Sequence, residues 1–178
     1  MNRKNFLKAL GGVALSSTAI NSLANSPKNE SKMESTPKVV HKNEGKHLMV
    51  FGNLQIHKLD AADTNGRFTL IEGEGTPGFG VPPHVHEFED EIFWILEGEM
   101  EFTVGEITST LKAGDTIFLP RNIPHSFNVI GTKKSKCLMM ITPAGLEGLF
   151  DIYSQQPEGP PDFEKLIEIS AEYGIHFV

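Results

Sequence analysis

From residue 48 to residue 142 the chain is a succession of short apolar or alternating runs, each closed off by a turn residue. These runs fall at 48–50, 54–59, 67–72, 84–86, 92–96, 99–104, 107–111, 116–119, 125–129 and 136–142. Asn65-Gly66, Glu97-Gly98, Gly105, Ala113-Gly114-Asp115, Asn122 and Gly131 separate them. Runs this short cannot carry a helical stripe, and residues with φ > 0 tendencies at their ends favour tight reversals. Many short strands at close spacing can bury a common core only as a sandwich or barrel, so the expected fold class is all-β. One helix is expected at the end. Pro160-Pro161 lead into Asp162 as N-cap, Phe163, Leu166, Ile167 and Ser170 share a face, and Gly174 stops it. This short C-terminal helix is expected to pack on the barrel or on a partner subunit.

The N-terminus reads as an address. Arg3, Lys4 and Lys8 flank a weakly apolar stretch over 6–20, and Ser22 and Ala24 make a small-x-small cleavage pattern. The segment Asn2-Arg3-Lys4-Asn5-Phe6-Leu7-Lys8 also resembles the twin-arginine export signal, with Lys4 in place of the second arginine. A signal peptide over 1–24 is therefore expected, cleaved near Ala24, leaving an exported, periplasmic or secreted protein with no membrane anchor. Residues 25–46, rich in Ser, Asn, Lys, Glu and Pro, read as a flexible linker. The barrel is expected over 47–156 and the helical extension over 157–178.

The formal net charge of -7 argues against nucleic-acid binding, which needs a basic surface. The single cysteine, Cys137, lies in an apolar run and reads as a buried small hydrophobe. No Gly-x-Ser-x-Gly elbow and no glycine-rich phosphate loop is present. His41, His47, His57 and His176 stand apart from any pattern, and Lys133, Lys134 and Lys136 read as a solvated loop.

Chemistry concentrates in His84, His86, Glu91 and His125. Residues two apart on a strand face the same way, so His84 and His86 present their rings together. Three imidazoles and a carboxylate from neighbouring strands form a mixed N/O set that suits one divalent transition metal: Fe, Mn, Ni, Cu, Co or Zn. Glu89 and Asp90 flank Glu91 and are expected at the barrel rim.

These residues carry a resemblance to a family. Gly78, His84, His86, Glu91 and Gly98 stand at every fixed position of the first cupin signature, Gly-x5-His-x-His-x4-Glu-x6-Gly. Gly114, Pro120 and His125 match the second, Gly-x5-Pro-x-Gly-x2-His-x3-Asn, with Asn122 at the glycine and Val129 at the asparagine. Asn tolerates the left-handed backbone that the glycine supplies. The resemblance implies a jelly-roll (double-stranded β-helix) barrel, inward-pointing metal ligands His84, His86, Glu91 and His125, and a homodimer. Within the family, Pro82-Pro83-His84-Val85-His86, the run 90–98 and the run 120–127 look like the small single-domain cupins related to quercetin dioxygenase.

Four protein ligands leave an octahedral ion with open positions, as catalysis needs. The favoured reading is a dioxygenase acting on a small enolic or aromatic substrate such as a flavonol, with Glu91 as general base. Phe93 and Ile95 alternate with Glu91, and Phe127 with His125, which would line the site with apolar groups. Two other classes fit the same ligands. One is a non-catalytic cupin that binds metal or a small ligand. The other is a metal-dependent isomerase or decarboxylase, for which a polar or cationic lining, with Arg121 nearby, is expected.

Overall fold

In a computed structural model of the chain, residues 36–157 and 161–178 are described. The expected export signal at 1–24, the linker before residue 36 and Pro160 lie outside them. The elements are β1 (Lys46–Val50), β2 (Asn53–Leu59), α1 (Ala61–Thr64), β3 (Thr69–Gly75), β4 (Gly80–His86), β5 (Asp90–Glu97) and β6 (Glu99–Val104). They continue with β7 (Ile107–Lys112), β8 (Thr116–Leu119), β9 (His125–Val129), β10 (Ser135–Thr142), α2 (Glu147–Ser154), α3 (Phe163–Glu172) and β11 (Ile175–Phe177).

Alternation of buried and open positions along a strand makes a two-faced sheet. In β10 every second residue, from Ser135 through Cys137 and Met139 to Ile141, is buried, the period that a sheet packed on one face requires. Two antiparallel sheets result, ordered β1-β2-β3-β10-β5-β8 and β11-β4-β9-β6-β7. They close on each other as a jelly roll, with Ile71, Phe93, Ile95, Phe102, Leu119 and Ile141 almost wholly buried between them. The chain crosses from β5 in one sheet to β6 in the other at Gly98, whose φ is +76°. A Cβ there would stand 2.7 Å from the Lys134 carbonyl oxygen and 2.8 Å from the Ser135 Cα. The turn conformation and this close approach both require glycine.

Where the elements depart from expectation, tertiary contact explains it. The strand expected at 84–86 begins at Gly80 and runs through Pro82 and Pro83. Those prolines fall where the β4–β9 register shifts, between Val81 and His84, the irregularity in which strand prolines are tolerated. A second helix, α2, precedes the expected one. Leu149 is buried on it, and its partners are distant in sequence, chiefly β1. Strand β11 is three residues long and exists by pairing antiparallel with β4. Of the stretch expected as linker, residues 36–45 fall within the described part. They are largely exposed, and the carbonyls of His41, Lys42 and Glu44 accept hydrogen bonds from the buried Lys58 ammonium.

Candidate metal centre

The jelly roll brings the four expected residues to one point inside the barrel. His84 and His86 come from β4, and His125 opens β9 directly opposite His84 in the ladder. Glu91 reaches the same point from β5 in the facing sheet. All four are buried, and one ligand atom from each lies within 4.8 Å of the others. Nε2 of His84 is 3.1 Å from Nε2 of His86. The Glu91 Oε2 is 3.4 Å from Nε2 of His125 and 3.9 Å from Nε2 of His86.

The hydrogen bonds orient two of the rings. His84 donates Nδ1–H to the Pro82 carbonyl at 2.9 Å, and His125 donates Nδ1–H to the Ile123 carbonyl at 3.0 Å. A carbonyl can only accept, so in the neutral rings both Nε2 atoms carry lone pairs aimed inward. Nε2 of His125 is buried and has no hydrogen-bond partner. The Nε2 atoms of His84 and His86 could not sit as bare lone pairs at 3.1 Å without repulsion; a shared proton or a cation satisfies them. An inward-facing set of lone pairs beside a carboxylate is what a divalent cation needs, so these residues fit a metal ion.

Burial pushes the His84 imidazole down to about 4, helped by the neighbouring His125 charge. Burial also pulls on His86, but the carboxylates of Glu89 and Glu91 outweigh it and hold His86 above its ordinary value. For Glu91 burial acts upward, and the adjoining His125, His86 and His84 rings override it, leaving the carboxyl below its usual range.

The flanking acids behave differently from each other. Asp90 leaves the site and clamps Arg121, accepting from its backbone N–H at 2.9 Å, Nε at 3.1 Å and Nη2 at 2.9 Å. This clamp ties the start of β5 to the turn ahead of His125. That turn contains Asn122 at φ 62°, the left-handed conformation anticipated for it. The guanidinium of Arg121 faces Asp90, and Arg121 does not line the cavity described next. Glu89, expected at the rim, is buried (6% exposed), and its Oε2 lies 3.7 Å from Nδ1 of His86. The turn after β4 carries its side chain inward, which strand alternation could not foretell.

A cavity of about 440 Å³ opens onto His84, His86 and Glu91. Phe93 and Phe127 line it as expected, whereas Ile95 is packed away between the sheets. Sequence reasoning missed much of the wall: Phe79, Met139, Phe150, Tyr153, Leu166 and Phe177. The spacing of Leu146, Leu149, Phe150 and Tyr153 is an amphipathic signal that marks α2. Cys137 is buried, as expected, with its thiol pushed up to about 12 by burial.

Two packed sheets with a His-His-Glu-His cluster inside define a jelly-roll barrel able to hold one metal ion. Residues 68–141 match the cupin domain, and the chain belongs to the cupin superfamily. It is 30% identical over 125 residues to a quercetin 2,3-dioxygenase of Bacillus subtilis, a match that covers 69% of this chain and 36% of the dioxygenase. The chain spans less than half the length of the curated relatives it matches. Among solved structures, a predicted oxalate decarboxylase from Thermotoga maritima is 26% identical with a TM-score of 0.53, covering 60% of this chain and 99% of that one. The polyketide cyclase RemF from Streptomyces resistomycificus is 28% identical with a TM-score of 0.50, covering 69% and 96%.

Proposed function

We propose that this chain is a metal-dependent dioxygenase-type oxidoreductase acting on a small enolic or aromatic substrate such as a flavonol. The observation that carries this reading is the shape of the cavity. An aromatic-walled chamber of about 440 Å³ ends at His84, His86 and Glu91, which gives a flat apolar molecule one polar end to meet. No Lys or Arg is among the described residues lining it. That favours a neutral planar substrate over the sugar or small acid of an isomerase or decarboxylase. The similarity to a quercetin 2,3-dioxygenase supports the same choice.

His84, His86 and His125 through Nε2, with a Glu91 oxygen, would hold the ion, a divalent transition metal. When bound, the ion supplies Lewis acidity toward an enolic or phenolic oxygen, with dioxygen as the co-substrate. Phe93 and Phe127 hold the ring plane and keep water out. Glu91, ionised at neutral pH, accepts the hydroxyl proton of the substrate as general base.

The test is oxygen uptake by the metal-loaded protein with a panel of flavonols and enediols. Consumption with one of them is expected, falling about a hundredfold or more in Glu91→Gln. A metal-replete protein that consumes no oxygen with any of them overturns the reading. His86→Ala should lose most of its bound metal, as measured by elemental analysis; unchanged metal content would refute the ligand assignment.

Two further features belong to the same proposal. The 1–24 segment directs export, which N-terminal sequencing of the mature protein checks. The barrel pairs with a second copy through the outer face of the larger sheet, where Trp94 (52% exposed) and Phe118 (54%) stand in the open. Among the described residues, no helix is long and apolar enough to cross a membrane.

A further inference from the structure

We infer that Glu89 is a positioning residue for the metal centre: its carboxylate takes the Nδ1–H of His86 and so aims the His86 Nε2 at the space shared with His84, Glu91 and His125. This rests on the metal-binding reading above.

The three rings differ at their outer nitrogens. His84 and His125 each donate Nδ1–H to the backbone carbonyl two residues earlier. His86 makes no such bond. Its Nδ1 is buried without a partner, and so is the Oε2 of Glu89, which faces it at 3.7 Å. Two complementary polar atoms sealed together with nothing else to bind are a pair awaiting closure, because buried donors and acceptors are otherwise satisfied. The gap exceeds a normal N–H···O distance by only about 0.8 Å.

The backbone around Glu89 is pinned on both sides. Glu87 N–H donates to the Gly174 carbonyl at 2.8 Å, and Asp90 is clamped to Arg121. The short turn between these ties delivers the Glu89 carboxylate to the back of the His86 ring. From there it faces the outer nitrogen, and the ion would lie on the opposite side of the ring, so Glu89 acts through His86 and not as a ligand. A carboxylate behind a ligating imidazole fixes the ring's orientation and strengthens it as a donor. His86 would then be the most strongly donating of the three imidazoles, since the other two lean on neutral carbonyls.

The test uses the full chain, stripped of metal, and titrates it with Zn²⁺ and Ni²⁺ separately. In Glu89→Leu the affinity should fall about 10–100-fold. Glu89→Gln should fall between it and wild type, because its amide oxygen can still accept the Nδ1 proton. Glu106→Gln, exposed in the turn between β6 and β7, should bind as wild type does. Nitrogen NMR of labelled histidine gives a second readout, independent of affinity: His86 Nδ1 should carry a proton in the metal-free and Zn²⁺-loaded wild type. If Glu89→Leu does not fold, Glu89→Gln and the NMR assignment still decide. A bare Nδ1 on His86 overturns the inference, as does undiminished affinity in Glu89→Leu, or in Glu89→Gln where that is the variant measured. A wild type that binds both ions but consumes no oxygen defeats only the dioxygenase reading. A wild type that binds neither ion defeats the metal reading and, with it, the role of Glu89.

Discussion

Protons and a divalent ion compete for the same Nε2 lone pairs, so the order in which His86 and His84 protonate shapes how the centre empties in acid. His86 is held above its ordinary value by Glu89 and Glu91, whereas His84 is pushed down to about 4 by burial. As pH falls, His86 therefore takes its proton before His84 does, and the metal must displace it. Apparent affinity should be flat at high pH and begin to fall above about pH 6.5. Below that point it should keep dropping, and it should steepen further near pH 4, where His84 joins. Competition titrations with a chelator across this range check it; a first break at pH 4 would mean that His86 is not raised. The four candidate ligands were legible in the sequence by two routes. Strand alternation puts His84 and His86 on one face, whereas Glu91 and His125, the latter several strands further along the chain, stand out by their places in the two cupin signatures. Glu89 was not legible, because the direction of a side chain in a turn depends on what pins that turn, here Gly174 and Arg121.

Strand β11 shows how a minor element supports the site. Its three residues pair antiparallel with β4, with Phe177 opposite His84 and Ile175 opposite His86. It thereby covers the edge of the strand that carries two of the candidate ligands. The chain enters β11 through Gly174 at φ +72°, where an added Cβ would stand 2.5 Å from the Phe88 ring. The half-exposed ring can swing aside, but the left-handed backbone remains strained for any L side chain. Gly174→Ala should therefore cost about 1–2 kcal/mol in urea unfolding and weaken metal binding in parallel. Removal of residues 175–178 should weaken metal binding further, since it uncovers β4 and takes Ile175 and Phe177 out of the cavity wall. Metal affinity equal to wild type in the truncated chain would show that β4 holds its histidines unaided. Neither β11 nor α2 was called as an element from the sequence. Three residues carry no periodicity of their own, and the apolar stripe of α2, although present in the sequence, is only about two turns long, so what it covers is settled by strands far away in the chain.

Ile92, Trp94 and Leu96 alternate on β5 and share a face with Phe118, which sits opposite Ile92 in the ladder. The inner face of the same sheet packs the core, so these side chains project from the outside of the barrel. A pair of exposed aromatics on one sheet face is unusual for a surface in contact only with water. The double change Trp94→Glu and Phe118→Glu should convert a dimer to a monomer in analytical ultracentrifugation while leaving the thermal midpoint of metal-loaded protein nearly unchanged. A wild-type monomer at micromolar concentration refutes the proposed pairing. The barrel and its turn positions could be read from residue order, because strand period and turn chemistry are properties of neighbours in the chain, and the His-His-Glu-His cluster from its resemblance to the two cupin signatures. The cavity could not. Its walls join Phe79, Phe93 and Phe127 of the barrel to Phe150, Tyr153, Leu166 and Phe177 of the C-terminal elements. Which apolar residues fill a core and which leave a chamber open is settled by how distant segments pack, as Ile95, buried between the sheets, and Phe93, lining the site from the same strand face, together show.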